Sequence, residues 1–178
     1  MNVIFIYCQT NGLHQTNETV IKKNLFEFAR LVSLNYEIGI FEKKKFKSLK
    51  KIDVIIKPRC MFIDEDTIKI HGITNEIAKE KGIEIEEILK KFKDDLKDVE
   101  FIVTHNQNFH LKTIMAEFIR YNLPFSFEKF KKIDLMNFNH EIKPPKLNLL
   151  YNELINKSHS DQKKNEIDKI KELYILLR

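Results

Sequence analysis

The chain opens on Val3-Ile4-Phe5-Ile6-Tyr7, a run of β-branched and aromatic residues broken by Thr10-Asn11-Gly12. That pattern predicts a buried first strand ending in a polar turn. His14 to Asn24 is polar and predicts a connection. Leu25 to Leu34 is apolar, interrupted by one acid and one base, and predicts a second strand. Tyr36 to Phe41 either extends it or begins the next. Lys43 to Lys51 reads as a basic excursion, and Ile52 to Lys57 as a third strand closed by Pro58. The period then changes. Thr74 can cap a short helix that ends at Gly82. Ile85, Ile88, Leu89, Phe92 and Leu96 recur at helical spacing with Glu and Lys opposite, a stripe for core packing. Phe101 to Thr104, led by Glu100, predicts a buried fourth strand. Leu111, Ile114, Met115, Phe118 and Ile119 share the face of a helix that Pro124 stops. A last helix, Asp161 to Leu177, turns Ile167, Ile170, Leu173, Tyr174 and Leu177 inward. Three strands followed by a switch to helices predict an antiparallel meander feeding a mixed sheet.

Composition narrows the class. The 178 residues suit a single domain spanning 1–178, and 43% apolar content suffices for a two-sided core. No stretch approaches the roughly 18 consecutive apolar residues of a membrane helix. Met1 to Tyr7 lacks the features of a signal peptide. Cys8 and Cys60 make neither a disulfide framework nor a zinc spacing. These readings predict a reduced, cytoplasmic protein with no membrane partner. The net charge of +5 is mild, but the lysines cluster with phenylalanine: Lys43-Lys44-Lys45-Phe46-Lys47, Lys90-Lys91-Phe92-Lys93 and Lys129-Phe130-Lys131-Lys132. Such clusters suit a phosphate backbone with rings for base stacking, or a merely lysine-rich surface. The first is the longest and the poorest in acids.

Segments along nearly the whole chain then resemble, in order and spacing, the DEDDh-type 3′→5′ exonucleases, the family of the proofreading epsilon subunit of bacterial DNA polymerase III. Tyr7-Cys8-Gln9-Thr10-Asn11-Gly12-Leu13 resembles its first motif, with Tyr7 and Gln9 where the family has Asp and Glu. Phe62 to Thr74 resembles the segment in which a short acidic helix leads to His71-Gly72-Ile73-Thr74. Asp64, Glu65 and Asp66 there suit a helix's first turn, and His71 is either a turn histidine or a substrate contact. His105-Asn106-Gln107-Asn108-Phe109-His110 resembles the second motif, with His110 in place of an Asp. Lys132 to Met136 resembles the fifth strand, Asp134 included. Lys146-Leu147-Asn148-Leu149-Leu150-Tyr151, after Pro144 and Pro145, resembles a family helix start. The third motif, a His followed five residues on by an Asp, falls on His159 and Lys164 in one register. Alignment from Leu173-Tyr174 puts it on Asp161 and Glu166.

The resemblance implies an α/β, ribonuclease H-like exonuclease fold: a five-stranded mixed sheet flanked by helices, its first three strands antiparallel. It also implies two magnesium or manganese ions held by carboxylates, with a mobile His as base. Hard cations need anionic oxygen. Here the acid positions hold Tyr7, Gln9, His110, and Lys164 or Glu166. The expectation is therefore a pseudo-exonuclease with no cofactor. It would bind single-stranded or 3′-end nucleic acid, or a polymerase or other replication or repair partner. Thr10, Asn11, Gly12, Leu13, His71, Asn106, Phe109, Lys43, Lys44, Lys45 and Lys47 are the candidate nucleic-acid contacts. The alternatives are an active nuclease with a rearranged magnesium or manganese site, and a structural interaction domain without nucleic acid. Cys8, His110 and His159 are soft enough for zinc, but strand alternation turns Cys8 away from Tyr7 and Gln9 into the core.

Overall fold

The computed structural model describes residues 1–43, 45–59, 61–137, 146–155 and 164–178. Lys44, Cys60, Pro144, Pro145, His159 and Asp161 lie outside the described residues. Five strands form one sheet: β1 (Asn2–Thr10), β2 (Leu31–Glu42), β3 (Lys45–Ile55), β4 (Phe101–Thr104) and β5 (Lys131–Asp134), in the order β3-β2-β1-β4-β5. β1 and β2 pair antiparallel, as do β2 and β3, while β4 runs parallel to both β1 and β5. The mixed sheet with its antiparallel meander is the expected one.

β1 shows why both faces are covered. Its alternate residues Ile4, Ile6 and Cys8 pack with α3 (Ile85–Asp95) and α4 (Gln107–Arg120). Val3 and Phe5 pack on the other side with α5 (Leu147–Leu154) and α6 (Glu166–Leu177). A strand buried on both faces reads as a continuous apolar run, which is what Val3 to Tyr7 is. The stripe from Ile85 to Leu96 is buried as its spacing predicts. Two shorter helices complete the set: α1 (Glu65–His71), capped by the Asp64 carboxylate, and α2 (Asn75–Lys81), capped by Thr74.

Two expectations fail locally. The stretch from Leu25 does not begin a strand. Lys22–Glu27 is a 3-10 helix, and β2 starts at Leu31. Arg120 explains the difference, because its guanidinium donates to the carbonyls of Leu25 and Phe28 and holds them off the sheet. The basic stretch after Lys43 is not an excursion, since β3 begins at Lys45 and continues through it. An edge strand tolerates lysines on its open side. Lys50 pairs with Asp95 at 2.5 Å and Lys51 with Asp168 at 3.1 Å.

Candidate functional site

β1 and β4 end side by side, and a cavity of about 530 Å³ opens beyond them. Its lining includes Tyr7, Gln9, His71, Asn106, Phe109, His110 and Glu166. The fold thus brings together residues from five of the resembling segments, Met136 and Lys146 among them, and the start of the last helix.

The wall is set by turns and caps. β4 turns into α4 at Asn106, whose φ of 75° is left-handed and whose side chain accepts from the Phe109 N–H at 3.3 Å. Asparagine tolerates that conformation better than most residues. The Asp134 carboxylate accepts from the Asn106 and Gln107 N–H groups at 2.9 and 2.8 Å. It offsets the positive end of α4, a duty its place at the end of β5 did not announce. Gly72, with φ 75°, closes α1, and the His71 Nδ1 accepts from the Ile73 N–H at 3.0 Å. Burial lowers the His71 pKa. Thr10 donates to the Gly12 carbonyl at 2.6 Å, and Leu13 stands 82% exposed at the mouth.

The floor holds Tyr7, Gln9, His110 and Glu166. The Tyr7 and His110 rings lie 4.7 Å apart. Burial, with help from Glu166 and Cys8, pushes the Tyr7 pKa up to about 12 against a hydrogen bond from Gln9. Tyr7 is therefore a neutral phenol. His110 is buried between α4 and β1, where its Nδ1 accepts from the Cys8 N–H at 3.3 Å. The Cys8 Sγ lies 3.2 Å from the same nitrogen. Burial lowers the His110 pKa to about 3 and raises the Cys8 pKa to about 12, each partly offset by a hydrogen bond. The pair is a neutral imidazole beside a neutral thiol, without the thiolate a nucleophile requires. Strand alternation placed Cys8 in the core but gave no sign of this contact.

Of the two third-motif registers, the described residues include only Lys164 and Glu166. Glu166 is the first residue of α6 and lines the cavity. Lys164 turns away to Glu172 at 2.8 Å and the Tyr151 hydroxyl at 3.0 Å. It stands 35% exposed and does not line the cavity. Among the described residues lining the cavity, Glu166 is the one carboxylate and Lys146 the one ammonium.

Other candidates stand elsewhere. Asn11 does not line the cavity, because its side chain accepts from the Arg30 N–H at 2.8 Å and donates to the Phe62 carbonyl at 3.3 Å. Lys43, Lys45 and Lys47 lie at the opposite end of the sheet, since Asn2, not Tyr7, pairs with Ile40. At the usual strand rise, Lys43 is about 27 Å from Tyr7 along the strands. A second cavity of about 430 Å³, lined in part by Lys93, Leu96, Phe125 and Phe130, contains none of the predicted site residues. His14, which the sequence pattern places in a plain connection, also has a role. Its ring stacks on Phe109 at 4.6 Å and accepts from the Ala29 N–H at 3.1 Å, fixing the loop against α4.

The donor set does not fit a pair of hard divalent cations. Such ions take about six oxygens, several of them anionic, and the described floor supplies one carboxylate. The His110 Nδ1 is already engaged by the Cys8 N–H, and freeing it would strand a buried N–H at a cost of about 1–3 kcal/mol. Among the described residues no group of three His, Cys, Asp or Glu is arranged to hold a metal.

Comparison with known proteins agrees with the fold and the exonuclease family. The family model RNase_T, described as Exonuclease, matches residues 4–172. A product-bound exonuclease I is similar in structure with a TM-score of 0.76 at 15% identity, over 99% of this chain and 43% of that one. Exonuclease I from Methylocaldum szegediense gives 0.71 at 13% identity, over 99% and 40%. The zinc-bound form of an E. coli exonuclease I complex with single-stranded DNA gives 0.67 at 14%, over 99% and 38%. The chain thus spans about two fifths of the length of these structures. No curated protein matches the chain. Among the described residues no helix is long and apolar enough to cross a membrane.

Proposed function

We propose that this chain, which belongs to the RNase T family of exonucleases, uses its cavity to hold a single strand or 3′ end of nucleic acid without cutting it. The observation that carries the reading is the floor. By the family resemblance Tyr7, Gln9 and His110 take the places of three carboxylates, and the Tyr7 ring lies tilted 4.7 Å from a buried, neutral His110. Hydrolysis by two metal ions needs anionic oxygens for both the attacking and the leaving group. A lone Glu166 does not supply them.

Binding is supported by the geometry of the rim. Leu13 and Ile70 are exposed at the mouth, Phe109 and Asn106 form the wall, and the opening leads to polar groups at the bottom. An unpaired base has an apolar face for the rim and polar edges for the interior. Structural neighbours bind single-stranded DNA, and one is in complex with SSB. A replication or repair protein, such as a polymerase, is accordingly the kind of partner proposed for this chain.

One observation favours a second reading. Glu166 reaches the cavity from the first turn of α6, where it could share a single ion with substrate oxygens in a rearranged nuclease. The deciding experiment offers a 5′-labelled single-stranded oligonucleotide with magnesium or manganese. The expected result is an unchanged strand. Shortening from the 3′ end that co-purifies with the protein, and is lost in Glu166→Gln, would establish the second reading instead.

A further inference from the structure

The geometry points to a cavity that receives the phosphate of its ligand without any divalent cation, through Lys146 and the neutral donors Tyr7 and Gln9. This inference rests on the nucleic-acid reading above and names how the same site meets charge.

A floor of four carboxylates repels a phosphate, so cations must stand between the two. This floor does not have that problem. Tyr7 carries a phenolic proton and Gln9 an amide, both of which donate hydrogen bonds to oxygen. Glu166 brings one negative charge, and Lys146 brings one positive charge to the same lining. Lys146 has no ion pair among the described residues. It stands at the start of α5, exposed toward the opening. Of the lysines on β3, Lys45 and Lys47 lie at the far end of the sheet, and Lys50 and Lys51 are paired with Asp95 and Asp168. His110 adds neither charge nor a free lone pair, because its Nδ1 faces the Cys8 N–H and its ring also hydrogen-bonds the His105 backbone. The same substitutions that remove a home for cations therefore remove the need for them.

The consequence is an inverted dependence. Adding a carboxylate to this floor should weaken the complex in the absence of metal, where an ordinary member of the family would be expected to need one. Gln9→Glu does this at a half-buried position without touching the core. Lys146→Glu does it from the rim.

Fluorescence anisotropy of a 5′-labelled oligothymidylate of about 12 nucleotides, in EDTA and in magnesium at equal ionic strength, tests this. The wild-type chain should bind equally in both, within about twofold, and Gln9→Glu and Lys146→Glu should each bind about tenfold more weakly in EDTA. Magnesium should restore part of the affinity of Gln9→Glu. Wild-type binding that vanishes in EDTA and returns with magnesium overturns the inference while leaving the nucleic-acid reading intact. No binding in either buffer overturns that reading and this inference with it. Thermal melting of the chain without oligonucleotide is an independent test. Millimolar magnesium or manganese should leave Tm unchanged, and a rise would reveal a cation site and refute the inference.

Discussion

The wall of the cavity and the turns behind it are built from residues that each hold a piece of backbone, whereas Tyr7 on the floor is met by other side chains. Asn106 caps α4 from a left-handed conformation, Gly72 closes α1, Thr74 caps α2, and His71 accepts from the Ile73 N–H. On the floor, Tyr7 is hydrogen-bonded by the Gln9 side chain and flanked by Glu166. Asn106, Gly72, Thr74 and His71 belong to the segments that resemble the exonucleases, and Tyr7, Gln9 and His110 are the positions proposed above to differ from them. The difference has a physical lesson. A wall residue is required by the fold whatever the chemistry, so its presence certifies the shape. A catalytic acid has no such second duty, and the floor alone reports on hydrolysis. His110 is the exception, a floor residue bonded to the β1 backbone.

That exception yields the largest expected effect. His110 in the folded chain titrates near 3, well below its ordinary 6.5. Between those values the unfolded chain binds a proton that the folded chain refuses, so stability is complete above about pH 6.5 and falls as the pH drops. The slope is about 1.4 kcal/mol per pH unit. Burial lowers His14 and His71 in the same direction. Carboxyls held low by lysines, such as Asp95 and Asp168, lose their contribution only below about pH 4. Urea denaturation at several pH values from about 7 to 4.5 isolates the histidines. A flat profile would mean that His110 is solvated and that the floor is looser than described.

Asn106→Ala sharpens the comparison from the wall side. It removes a cap and forces alanine into a left-handed turn, for a combined loss of about 2 kcal/mol, read as a lowered urea midpoint. Asn106→Gly should recover most of that, because glycine accepts the turn. Thr74→Ala is expected to cost about 1 kcal/mol by loss of the bond to the Ile77 N–H. Tyr7→Phe is the smallest, at about 0.5 kcal/mol. A loss above about 2 kcal/mol there would give the floor a fold-bearing role and dissolve the contrast.

Sequence periodicity was enough for elements that satisfy themselves locally. The helix stripe from Ile85 to Leu96 and the buried run from Val3 to Tyr7 needed nothing from elsewhere in the chain. It misled where a distant group decides. The carbonyls of Leu25 and Phe28 bend away from the sheet because Arg120, 92 residues or more along, claims them. The lysines after Lys43 looked like a loop because charge was weighed without knowing that β3 is an edge. For the site, residues of the resembling segments do line one cavity, while the pairing of Lys164 with Glu172, which turns it from that cavity, has no signature in the spacing. The Cys8–His110 contact spans 102 residues and leaves no local trace.

The central place of β1 carries a consequence for the chain as it is made. β1 lies between β2, which follows it closely, and β4, which arrives near residue 101. The meander of β1, β2 and β3 can close while the ribosome is still far from the rest, leaving one side of β1 unpaired. With β3 ending at Ile55, translation at about 5–20 residues per second keeps that side waiting roughly 3–11 s before His110 can dock against Cys8. During that interval the nascent chain presents an apolar strand edge, the form of surface that chaperones and aggregates both recognise. The strand that later forms the floor of the cavity is therefore also the chain's most vulnerable edge during synthesis.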